Sequence, residues 1–203
     1  MNAVMTMWDE RFAGADFMFG TQPAQALTRH LPALHQGGTT LAVADGEGRN
    51  SVYLAAQGFD VTAMDSSQIG IDKARRLAAQ HKVAPTFELA DIYDYDWQAQ
   101  SYDNVVAIFI QFAPPQMWER IFTGMKSALR CGGCLMLHGY TPRQIDYGTG
   151  GPSNVTHLYT ADILATYFSD MAIHHNEAYE AVLDEGHGHQ GQSALIDFIA
   201  YKR

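Results

Sequence analysis

The sequence predicts an α/β fold, a mostly parallel sheet with helices on both faces and a C-terminal antiparallel hairpin. Three observations carry this. Short β-prone runs alternate with helix-patterned stretches up to residue 138. Gly and Pro fall singly or in pairs between those segments, with no internal repeat and no low-complexity linker. Beyond residue 170 the pattern changes to two strand-like runs around a polar turn.

Taken in order, residues 39–44 are a β-prone run ending in a loop of Asp45, Gly46, Glu47 and Gly48. Residues 50–57 have helical composition and stop at Gly58, a natural residue for the position after a helix. A second strand, 60–64, closes on Asp65, with Ser66 or Ser67 as N-cap of a helix whose apolar stripe is Ile71, Ala74, Leu77 and Ala78. Residues 85–89 offer a third strand, and the continuous apolar run 104–110 is typical of a strand buried on both faces near the sheet centre. Pro114 and Pro115 open a helix through Trp118, Ile121, Phe122, Met125 and Leu129 that ends near Gly132 and Gly133, and 134–138 is a fifth strand. After a glycine-rich loop and a helix around 162–168, residues 171–182 and 194–201 form the hairpin, joined through 184–189.

With 203 residues and 47% hydrophobic composition, one independently folding domain is expected. No run approaches the length of a membrane span, and residues 1–11 lack a secretory pattern, which points to a cytoplasmic protein with no membrane partner. Thirteen Lys plus Arg against 22 Asp plus Glu, a net charge of −9, opposes diffuse binding to phosphate backbones, so nucleic acid is not an expected partner. The two cysteines are too few for a disulfide framework and suit a reducing compartment.

The loop after the first strand lets backbone approach a ligand closely, and the helix behind it offers unpaired N–H groups to a carboxylate or phosphate. A dinucleotide fingerprint would need a third glycine where Ser51 stands, and no P-loop lysine follows, so NAD is disfavoured and phosphoryl transfer lacks its lysine. Asp65, at the end of the second strand, is placed to accept both hydroxyls of a ribose; its alternative is a loop carboxylate or helix cap. Asp91 could accept from an adenine amino group with Ile92 against the ring, although an Asp in such a place is more often a plain loop residue.

On Gly46-Glu47-Gly48-Arg49-Asn50-Ser51-Val52-Tyr53-Leu54-Ala55 and the following Gly58 to Asp65 stretch, the chain resembles the class I S-adenosylmethionine (SAM)-dependent methyltransferases. Within them it is similar to the small bacterial proteins akin to tellurite-resistance methyltransferases. Trp8-Asp9-Glu10-Arg11-Phe12, Phe19-Gly20-Thr21-Gln22-Pro23, Gly150-Gly151-Pro152 and Leu183-Asp184-Glu185-Gly186 extend the likeness over nearly the whole chain. The resemblance implies a Rossmann-like seven-stranded sheet with its last strand antiparallel and SAM over the carboxyl ends of the strands, leaving S-adenosylhomocysteine (SAH) as product. It divides the single domain into a lid region 1–36, a cofactor core 37–140 and an acceptor side 141–203. It assigns the cofactor to Ala44, Asp45, Gly46, Glu47, Gly48, Asn50, Asp65, Ser66, Asp91, Ile92 and Phe109, with Trp8 and Arg11 in the lid and Arg11 meeting the carboxylate. Two positions depart from the pattern: Ala42 stands for an acidic residue and Ala44 for the first glycine.

An activated methyl group needs alignment and exclusion of water rather than a protein nucleophile. The expected acceptor is a small molecule, neutral or a soft nucleophile, and the protein a monomer or homodimer. Candidate bases are His189, His138 and Tyr147, with Tyr140, His157 and His187 expected on the same sheet edge where an acceptor enters; each is more often a solvated or structurally bonded residue. Cys131 and Cys134 have C-x-x-C spacing but precede a strand, so no metal is expected. The rival readings are a degenerate module of the same fold and an NAD-dependent oxidoreductase.

Overall fold

The computed structural model describes residues 3–203, with side chains from residue 7; Met1 and Asn2 of the expected lid lie outside the described residues. Seven strands form one sheet in the order β3-β2-β1-β4-β5-β7-β6. They are β1 (Thr39–Val43), β2 (Asp60–Asp65), β3 (Thr86–Leu89), β4 (Tyr102–Ile108), β5 (Leu129–Tyr140), β6 (Ala172–Asp184) and β7 (Gln190–Tyr201). The first five run parallel, while β7 is antiparallel to both β5 and β6. The sheet is therefore mixed. Moving from β1 one way to β2 and the other way to β4 opens a crevice at their carboxyl ends, the position where ligands bind in such sheets.

Helices α3 (Arg49–Ala56), α4 (Gln68–His81) and α5 (Pro115–Ala128) connect the parallel strands, with α1 (Ala3–Phe12) and α2 (Gln25–His30) ahead of them and α6 (Gln144–Tyr147) and α7 (Ala161–Tyr167) behind. Ser67, rather than Ser66, caps α4 by accepting from Gly70 N. One sheet face packs Trp118, Phe122, Tyr159 and Phe168 over Leu135, Leu137 and Phe198; the other packs Leu27, Leu54 and Phe59 over Ala42, Val106 and Met136. Strand β4 is thus covered on both sides, as its unbroken apolar run requires.

Three boundaries differ from expectation. Strand β4 stops at Ile108 because Phe109 turns out of the sheet with φ +58°. Helix α5 ends at Ala128, and β5 starts at once, carrying Gly132 and Gly133 within the strand over a register shift against β4. The hairpin arms are longer than their apolar runs, since pairing continues to Asp184 and Gln190. Backbone pairing outlasts side-chain burial there because an exposed arm can still complete its ladder.

Candidate functional site

A cavity of about 400 Å³ opens at the carboxyl ends of β1, β2 and β4, within the size range of small-ligand sites. Its floor is the β1 loop. Ala44 has φ +49° and its N–H points to Met64 Sδ at 3.2 Å. Asp45 accepts from the Ser51 hydroxyl and, at 3.2 Å, from Ser51 N, which ties the loop to the first turn of α3. Gly48, the N-cap of α3, has φ +90°, and a Cβ there would stand 2.5 Å from that of Ala74, so only glycine lets α3 lie this close to α4.

Asp65 closes the next strand. Its Oδ2 accepts from Gly46 N and its Oδ1 from Ser67 N, each at 2.8 Å. Both oxygens keep lone pairs, and the residue lines the cavity. Burial pushes its carboxyl up to about 6, and burial together with the nearby Asp65 charge pushes Asp45 up to about 7. Ser66, Asp91 and Ile92 form the wall beyond it; Asp91 Oδ1 accepts from Tyr93 N at 2.9 Å.

The opposite wall comes from β4, β5 and the hairpin turn. Gln111 fastens the strand ends together: its Nε2 donates to Tyr140 O at 2.8 Å and its Oε1 accepts from Tyr140 N at 2.6 Å. His189 sits at the turn with its ring 4.0 Å from Phe109 and 4.5 Å from Phe19 between centroids. Burial, then the charges of Arg49, His138 and Arg11, hold its pKa well below the ordinary value, so the imidazole is neutral at neutral pH. Its Nδ1 and the Tyr140 hydroxyl are buried without hydrogen-bond partners.

The N-terminal segment roofs the cavity with Trp8, Arg11, Phe12 and Phe19. It is held by buried polar groups: Glu47 accepts from Met18 N at 2.7 Å, Asn50 from Ala24 N at 2.9 Å and Glu185 from Gln25 N at 2.8 Å. Gly186 of the turn, φ +78°, packs so tightly on Gly20 that a Cβ would lie 2.4 Å from Gly20 N.

Most of the expected site residues meet in this cavity: Trp8, Arg11, Ala44, Asp45, Gly46, Asn50, Asp65, Ser66, Asp91, Ile92, Phe109 and His189. Four do not line it. Glu47 is buried in a 2.7 Å ion pair with Lys73, which makes it an anchor of the roof. Gly48 faces α4. His138 lies beneath Phe109 with Nδ1 2.6 Å from the buried Asp197 carboxylate, and Tyr147 is at the surface with its hydroxyl donating to Glu180. Gln111, expected with Phe109 at the end of the fourth strand, also lines the cavity, while Arg49, Phe112 and Ser153 are cavity residues without an expected role. Arg49 alone left a signal, as the first residue after the glycine cap.

Three further features bear on chemistry. A void of about 10 Å³ bounded by Ala42, Ala44, Asp45, Asn50, Val106 and Ile108 lies behind the loop, where the resemblance would have an acidic side chain at Ala42. His30, His175 and Asp197 offer metal-type geometry, but the Arg29 guanidinium already sits 2.8 Å from Asp197 Oδ2 and brings a positive charge against any cation. Cys131 and Cys134 are free thiols.

Comparison with known proteins agrees with the fold. Residues 41–133 match the methyltransferase domain family. The structure described for conversion of a disulfide bond into a thioacetal group during echinomycin biosynthesis superposes with TM-score 0.80 at 18% identity, covering 98% of this chain and 92% of that one. TehB from Haemophilus influenzae gives 0.71 at 18% identity, covering 98% and 67%. The N-methyltransferase NodS from Bradyrhizobium japonicum, in complex with SAH, gives 0.70 at 13% identity, covering 99% of each. Residues 41–133 are thus similar to a methyltransferase domain, and the fold is the one shared by TehB and by NodS.

Among curated proteins, the chain matches the tRNA (uracil(54)-C(5))-methyltransferases of Pyrococcus horikoshii, 30% identical over 90 residues, and Pyrococcus abyssi, 31% identical over 105 residues. These matches cover 44% and 48% of this chain but only 22% and 25% of the relatives, so the chain spans about a quarter of their length. They overturn the exclusion of nucleic acid as a partner. Net charge reports the average surface, and a catalytic domain in a longer protein can leave RNA binding to other parts. No helix among the described residues is long and apolar enough to cross a membrane.

Proposed function

We propose that the chain transfers a methyl group from SAM, by in-line displacement, to a neutral or soft nucleophilic group entering past Tyr140, His157 and His189. The observation that carries this reading is the single cavity joining the β1 loop, Asp65 and the Asp91–Ile92 wall to an aromatic, histidine-bearing far end. The residues fit the cofactor: Asp65 keeps lone pairs beside a backbone loop, and polar atoms at the far end lack partners. Bound SAM supplies a methyl group already activated on a sulfonium.

In this reading Asp65 holds the ribose, and Ser66, Asp91 and Ile92 hold the adenine side. The Ala44–Gly46 backbone lies against the methionine part, and Trp8, Phe12 and Phe19 exclude water. The segments 1–36, 37–140 and 141–203 act as lid, cofactor core and acceptor side of one domain, and the free thiols go with a cytoplasmic setting. His189 accepts a hydrogen bond from the incoming group but stores a proton poorly, because its surroundings disfavour the imidazolium. That suits a nucleophile whose proton is weakly held, such as a thiol, better than an alcohol. A second reading, favoured by the curated relatives, is that the acceptor group belongs to a base in RNA.

Calorimetric titration with SAM, SAH and NAD tests the cofactor, and transfer of label from methyl-labelled SAM to a thiol panel or to bulk tRNA tests the acceptor. Micromolar SAH binding without NAD binding is expected. Heat from NAD alone would replace the methyltransferase with the oxidoreductase reading, and silence with all three would leave a degenerate module.

A further inference from the structure

Arg49 is 6% exposed, yet only one of its terminal nitrogens has a partner. Nη2 lies 2.7 Å from Glu185 Oε2, whereas Nη1 is buried with no hydrogen-bond partner. A buried guanidinium N–H without an acceptor is costly, and native structures rarely leave one unless a ligand or water completes it. Arg49 lines the cavity at the first position of α3, whose first turn is already capped by the Asp45 carboxylate on Ser51 N at 3.2 Å. The unpartnered donor at this point of the wall is therefore the guanidinium Nη1.

We propose that Arg49 seats the methionine carboxylate of the cofactor through Nη1 while Nη2 stays on Glu185. The assignment rests on the methyltransferase reading above and adds to it the group that recognises the amino-acid end. Arg11, the other arginine of the cavity, is exposed and stacked over Trp8 at 4.9 Å, where water competes for its N–H groups. Arg49 has no such competition. The same guanidinium then bridges two carboxylates, and through Glu185 Oε1 it reaches Gln25 N of the roof at 2.8 Å. The carboxylate so becomes the last partner in a chain that runs from the cofactor through the hairpin turn to the N-terminal segment.

The test compares calorimetric affinities for SAH and for S-adenosyl-3-thiopropylamine, the same molecule without its carboxylate. Arg49→Gln should weaken SAH about 10- to 100-fold, as loss of a charge-assisted pair predicts, and leave the decarboxylated ligand unchanged. Because the single variant strands the Glu185 charge, the double variant Arg49→Gln/Glu185→Gln, which removes both charges, should show the same selectivity. Arg49→Lys keeps a charge but only one nitrogen, and should lose SAH affinity selectively by about tenfold. Wild-type protein that binds SAH, with Arg49 variants that weaken both ligands equally or neither, overturns this assignment alone. Selective loss on Arg11→Gln instead moves the seat to Arg11 and also overturns it. Wild-type protein that binds neither ligand overturns the methyltransferase reading itself.

Discussion

The loops after β1 and β2 and the turn between β6 and β7 face each other across one cavity, yet they are built differently. The first pair is made by neighbours: Gly46 N meets Asp65, Ser51 meets Asp45, and each bond spans fewer than twenty residues of chain. The turn is held by distant partners, with Glu185 bonded to Gln25 and paired with Arg49, and further along β7 Asp197 is tied to Arg29 and His30 of α2. Local sequence therefore specifies the loops after β1 and β2, while the wall at the hairpin turn exists only after the chain has closed on itself.

The largest expected effect breaks the second kind of region. Asp197 is 1% exposed and takes His138 at 2.6 Å and His30 and Arg29 at 2.8 Å each, so Asp197→Asn mispairs the buried His138 and the partly buried His30 and removes the partner of the more exposed Arg29. It should lower unfolding free energy by about 3 kcal/mol in urea titration. A loss comparable to that of a surface mutation would show that α2 and the hairpin are joined by apolar packing alone.

Next comes the loop pair after β1 and β2. Asp65→Asn should weaken SAH binding about 10- to 100-fold in calorimetry, through loss of charge-assisted acceptance, with circular dichroism unchanged. Retained affinity would move the ribose away from β2.

The two regions should also separate by pH. Asp65 and Asp45 are raised to about 6 and about 7 from 3.8, so between pH 7 and 5 the folded chain binds protons that the unfolded chain does not. Their contribution to stability rises as pH falls through that window, while SAH affinity falls because protonated Asp65 accepts hydrogen bonds poorly. Asp197 is held far below the usual carboxylate range by His138 and His30 against the cost of burial, so its contribution is constant there and is lost only in stronger acid. Calorimetry across pH 5–8 reads the affinity change, and Asp65→Asn should flatten it.

The smallest effect sharpens the departure in the glycine loop. Ala44 sits at φ +49°, where a Cβ crowds the backbone, so Ala44→Gly should stabilise the fold by up to about 1 kcal/mol in thermal unfolding. A destabilised variant would mean that the methyl group packs usefully against the core.

Five parallel strands and the hairpin were legible because each rests on a pattern within a short stretch of chain, whereas most of the twelve expected site residues that line the cavity came from the resemblance of the glycine-loop and lid motifs. Glu47 and Gly48 share the motif with Gly46, yet one anchors the roof through Lys73 and the other admits Ala74, a difference set by which way each points from a loop. Tyr147 and His189 were equivalent loop residues until folding put one beside Glu180 at the surface and the other between Phe109 and Phe19. Alternation of apolar runs with Gly and Pro by itself determined the α/β class and the strand-end position of a ligand, since backbone pairing and helix periodicity are local. Only the tertiary structure decided which polar groups meet water, each other or a ligand, because burial and pairing energies depend on neighbours from the far end of the chain.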